Sequence, residues 1–77
     1  MSNDAALQRV SRLRKKAEAG DAVAQNTFGE MYLYGEGVEE DYVEAVKWIS
    51  RAAEQDLVEA QYQIGLFYHF GDGVDQD

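Results

Sequence analysis

Residues 17 to 41 return 36 positions later, and this internal repeat limits the folds open to the chain more than any other feature. AEAGDAVAQNTFGEMYLYGEGVEED lies without a gap over AEQDLVEAQYQIGLFYHFGDGVDQD. Ten of the twenty-five aligned positions are identical: Ala17/Ala53, Glu18/Glu54, Ala24/Ala60, Gln25/Gln61, Gly29/Gly65, Tyr32/Tyr68, Gly35/Gly71, Gly37/Gly73, Val38/Val74 and Asp41/Asp77. A period of this size marks a unit that cannot bury its own apolar face and so stacks on copies of itself. The function of such a chain is therefore expected on a surface.

The apolar spacing is helical throughout, and glycine supplies the punctuation because the 77 residues contain no proline. Leu7, Val10, Leu13 and Ala17 recur at threes and fours, placing one stripe on a first helix over about residues 4 to 19, capped by Asn3 or Asp4 and ended by Gly20. Asp21 is suited to cap a second helix over about 22 to 34, with Ala24, Phe28, Met31 and Tyr32 inward. Gly35 to Glu40 forms a turn, and a third helix follows Asp41 with Val43, Val46, Trp48, Ile49, Ala52 and Ala53 on a wide apolar face. Asp56 opens or precedes a fourth over about 57 to 70, bearing Ala60, Ile64, Phe67 and Tyr68. Gly29 and Gly65 sit inside helices, where glycine costs roughly 1 kcal/mol relative to alanine, so close approach of a neighbouring helix is expected at each.

The segment AEAGDAVAQNTFGEMYLYGEGVEEDYVEAVKWISRAAEQ resembles the Sel-one-like repeat, a relative of the tetratricopeptide repeat. The matching positions are Ala24, Phe28-Gly29, Tyr32, Gly35-x-Gly37-Val38, Asp41, Ala45, Trp48 and Ala52-Ala53, with Phe28 and Ile64 standing where that family has leucine. The resemblance covers residues 17 to 77 and implies an all-α fold, an α/α solenoid of helix-turn-helix repeats with about four helices. Residues 1–20 would form an N-terminal capping helix, 21–56 a full repeat and 57–77 a C-terminal half repeat that stops at Asp77, the capping residue of a further helix. It also implies protein binding, as an adaptor or scaffold in a bacterial-type cytoplasmic complex. Secreted members of the family proposed to be penicillin-binding or β-lactamase-like resemble disulfide-bonded proteins, and that implication fails for a chain without cysteine.

Charge is divided unevenly. Residues 1 to 16 carry Arg9, Arg12, Arg14, Lys15 and Lys16 against Asp4, a net +4, whereas residues 17 to 77 carry fourteen acids against Lys47 and Arg51, a net −12. An acidic body of this kind repels phosphate backbones, so nucleic acid is not expected on the repeats. The polar start MSNDAALQRV lacks the apolar core of a signal peptide, and no membrane anchor is expected.

Catalytic and ligand chemistry find little support in the residues. The Gly35/Gly37 and Gly71/Gly73 pairs lack the strand and lysine of a phosphate cradle, and turn geometry accounts for them. Asp72, Asp75 and Asp77 do not follow a calcium-loop spacing. His69 is the only histidine and has no nucleophile to serve, so no enzyme, metal or cofactor is expected.

A binding surface is left. By the resemblance, the first helix of each repeat lines a concave face, with Val23, Asn26, Glu30, Leu33 and Tyr34 in the first repeat and Glu59, Tyr62, Leu66, His69 and Phe70 in the second. Tyrosine, phenylalanine and leucine beside acids are the composition of interface centres. The partner-binding set is accordingly Asn26, Glu30, Leu33, Tyr34, Tyr62, Leu66, His69 and Phe70. The expected partner is a protein or peptide, and a homo-oligomer is expected through the uncovered fourth helix. An alternative function is a small acidic inhibitor or immunity protein that occludes an enzyme; a hydrolase ranks below both.

Overall fold

The computed structural model describes residues 4–70 and contains four helices: α1 (Asp4–Glu18), α2 (Ala22–Tyr34), α3 (Tyr42–Glu54) and α4 (Val58–Phe70). The second and third begin on aspartates whose extended backbone turns a carboxylate back onto the first turn. Asp21 Oδ1 accepts from the Ala24 amide at 2.9 Å, and Asp41 Oδ1 from the Glu44 amide at 3.1 Å. Each such cap stabilises its helix by about 1 kcal/mol. α2 ends where Gly35 enters the left-handed region at φ 69°, which lets the Glu36 amide donate back to Met31 O at 2.9 Å. Gly37 is also left-handed, and the Asp41 amide then donates to Tyr32 O at 2.9 Å, returning the chain to start α3. The Gly35/Gly37 pair thus performs turn chemistry; Gly71, Gly73, Asp72, Asp75 and Asp77 lie outside the described residues.

Two apolar clusters hold the helices together, and α3 serves both. Ala17, Ala24, Phe28 and Trp48 form the first, with Val10, Leu13, Met31 and Tyr32 packed against it. Phe28 meets Tyr32 and Trp48 edge-on, each with ring centroids 5.2 Å apart. The second comprises Ile49, Ala52, Ala60 and Phe67, joined by Leu33, Val46, Leu57 and Ile64 among others. The helices come close because Gly29 lacks a side chain: a Cβ there would lie 2.5 Å from Ile49 Cγ1 and 3.0 Å from the Ala45 carbonyl oxygen. Gly65, expected to be crossed in the same way, has nothing within 4 Å of its Cβ position.

Leu7, Val43 and Tyr68, expected on inward stripes, are exposed. Each lies on the expected helix, so periodicity placed the residue but not its burial.

Candidate protein-binding surface

α2 and α4 are the first helices of consecutive repeats, and Gln63 links them directly. Its Nε2 donates to Asn26 Oδ1 at 3.2 Å and to Glu30 Oε2 at 2.9 Å. This bond pair fixes the two helices side by side and divides the expected binding stripe by environment. Asn26 is buried and Glu30 half-buried, both engaged with Gln63, while Leu33 is half-buried and packs against the second cluster. Tyr34, at 66% exposure, stands clear at the end of α2. On α4, Tyr62 is 68% exposed and Leu66 38%, whereas Ile64 and Phe67 on the same helix turn into the core. His69 is exposed, as are Val23 and Glu59. The Phe70 side chain lies outside the described residues.

The surface is therefore built by contrast along α4. Helical spacing sends Ala60, Ile64 and Phe67 inward, leaving Tyr62 and Leu66, one turn apart, on a face shared with Gln63 and through it with α2. Tyrosine suits such a place, since its ring supplies contact area at low conformational cost and its hydroxyl stays hydrated.

Glutamines frame the structure behind this surface. Gln25 Nε2 donates to Ala17 O at 3.0 Å, and 36 residues on, Gln61 Nε2 donates to Ala53 O at 3.1 Å. Each ties the start of a repeat's first helix to the end of the helix before it. Gln55 Nε2 adds bonds to Gly20 O at 2.9 Å and Gln25 Oε1 at 3.0 Å, joining successive inter-helix turns. Among the described residues no buried side-chain nitrogen or oxygen lacks a partner. The signal for two of these residues was present in the repeat, because the Ala17/Ala53 and Gln25/Gln61 identities are the two ends of one bond. Gln63 carries no such signal, since its counterpart in the first copy is Thr27.

No helix among the described residues is long and apolar enough to cross a membrane.

Comparison with known proteins agrees with this architecture. The model of the Sel1 repeat matches residues 22–57 and 58–77. An F-box protein of Arabidopsis thaliana is 40% identical over 57 residues, which make up 74% of this chain and 16% of the plant protein. The crystal structure of a protective antigen of uropathogenic Escherichia coli, with an SLR fold, superposes with a TM-score of 0.88 at 40% identity, covering 94% of this chain and 15% of that one. A Sel1 repeat protein from Oxalobacter formigenes gives a TM-score of 0.82 at 42% identity over 92% of this chain and 29% of its own. The chain thus spans less than a third of the length of each of these relatives.

Proposed function

The chain belongs to the Sel1 repeat family, whose repeats mediate protein–protein interaction, and from that premise we propose that it is an adaptor module binding a protein or peptide across α2 and α4. The observation that carries this reading is the exposure of Tyr62 and Leu66 on a helix that packs the core through Ala60, Ile64 and Phe67. In this reading Tyr62, Leu66, His69 and Phe70 make the contact on α4 and Tyr34 extends it on α2. Asn26, Glu30 and Leu33 shape the floor, the first two through Gln63.

The test is capture of partners from cells with the tagged chain, followed by affinity measurement on the purified pair. Tyr62→Ala is expected to weaken binding by roughly 1 to 4 kcal/mol, the range for an interface anchor, with the helical circular dichroism unchanged. Loss of helicity together with binding would assign Tyr62 to the core and end the concave-face reading.

A second copy of the chain is a further partner in this proposal, on the strength of Gly65. The notch that Ile49 fills at Gly29 is open at Gly65, and a helix of a second copy laid across α4 would cover it.

A further inference from the structure

The 36-residue period also relates α1 to α3, and the turns that follow them share two backbone bonds. The Gly20 amide donates to Ala17 O at 3.1 Å and the Asp21 amide to Lys16 O at 3.1 Å; correspondingly, the Asp56 amide donates to Ala53 O at 3.0 Å and the Leu57 amide to Ala52 O at 3.3 Å. On this register Val10, Leu13 and Ala17, which belong to the cluster joining α1 and α2, stand for Val46, Ile49 and Ala53 in the cluster joining α3 and α4. α3 has a further inward face, on which Ala45 and Trp48 are buried, Trp48 lying edge-on to Phe28 of α2 and the Ala45 carbonyl backing Gly29, while Ala52, one turn on from Trp48, is buried in the second cluster. The residues at those three positions in α1 are Arg9, Arg12 and Lys16.

All three cations are exposed, and none has an ion pair among the described residues. With Leu13 and Met31 they line an open groove of about 390 Å³. The helix macrodipole accounts for a cation in the last turn, where Lys16 lies, but not for Arg9 and Arg12 farther back. α1 thus presents the side on which this fold receives a helix, with two small residues and an indole replaced by positive charge. An apolar helix cannot pack there as α2 packs on α3, because it would desolvate unpaired cations. An occupant bearing carboxylates would pair them, bidentately where it meets a guanidinium.

We infer that this face of α1 is a second docking site, which takes an acidic helical segment of a partner protein. Carboxylates of the segment meet Arg9, Arg12 and Lys16, while an apolar residue between them rests on Leu13 and Met31. Protein is favoured over nucleic acid because the remaining chain, at net −12, repels a long phosphate backbone, whereas a short segment confined to α1 avoids it. This site is separate from the α2/α4 surface, and either can fail without the other.

The probe is a fluorescein-labelled amphipathic peptide of about 15 residues, four turns of helix, with glutamates flanking a central leucine stripe. It is titrated with the full chain at low salt. Arg9→Ala/Lys16→Ala is expected to weaken binding about tenfold and Arg12→Gln about threefold. Arg14→Ala/Lys15→Ala removes the same charge from residues that do not line the groove and is expected to change affinity less than about twofold. Circular dichroism checks that each variant is folded, and Tyr62→Ala is expected to leave this affinity unchanged. Equal losses for the two double variants would reduce the effect to net charge and overturn the site. Absence of peptide binding at low salt would overturn it too, as would tighter binding of a single-stranded oligonucleotide or of anionic phospholipid vesicles.

Discussion

Asp56 holds φ at 68°, the one non-glycine among the described residues in the left-handed region, and it stands where the first repeat has Gly20 at φ 107°. Both amides close the same turn onto the carbonyl three residues back. An aspartate tolerates this conformation better than most residues, but its Cβ still crowds the backbone. Asp56→Gly is expected to stabilise the chain by about 0.5 to 1 kcal/mol, raising Tm by a few degrees in a thermal melt. An unchanged or lower Tm would mean that the side chain has a role the turn geometry does not reveal. Gly37 gives the opposite case. At φ 77°, with a Cβ position 2.9 Å from Val10 Cγ2, it has no room for a branched side chain. Gly37→Val should cost roughly 2 kcal/mol or more, about 10 °C in Tm. A variant as stable as its parent would remove the case for the turn as the reason for this glycine.

Among the elements, α2 and α4 share a sequence pattern but not an environment, and their glycines report the difference. Gly29→Ala would press a methyl group against Ile49 and the Ala45 carbonyl, of which the latter is backbone and cannot rotate away. A loss of about 1 to 3 kcal/mol is expected by denaturant titration. Gly65→Ala meets open space and should gain up to about 1 kcal/mol from helix propensity. Similar effects at the two sites would mean that α3 does not bear on Gly29 as closely as the geometry has it. The helices themselves were legible because their punctuation has backbone consequences: Gly20 and Gly35 occupy left-handed turns, and Asp21 and Asp41 bond the amides they precede. Periodicity was less informative at Leu7, Val43 and Tyr68, since it reports which side chains share a face and not how far a neighbouring helix extends over them. It also passed over Gln55 and Gln63, because a long polar side chain reads as solvated whether it faces water or bonds a carbonyl in the next layer.

For the molecule as a whole, the open notch at Gly65 and the exposed Tyr62 and Leu66 lie on the same helix, so the proposed self-association and the proposed partner binding would draw on one element. Sedimentation over a hundredfold range of concentration is expected to show a dimer forming through α4, with Gly65→Ala weakening it while leaving the monomer at least as stable. A monomer at every concentration would exclude the second copy as an occupant. The glutamine bonds that join successive turns have a consequence for how such experiments can be run. Gln25, Gln55, Gln61 and Gln63 are uncharged, Glu30 is the only ionised group among their partners, and Lys47–Glu44 is the sole ion pair among the described residues. Neutral hydrogen bonds and buried carbon are hardly weakened by screening, whereas attraction to the cations of α1 decays within a Debye length of about 8 Å at physiological ionic strength. Added salt therefore acts on this protein as a selective eluent, releasing a ligand held by charge on α1 while the scaffold that displays it keeps its shape.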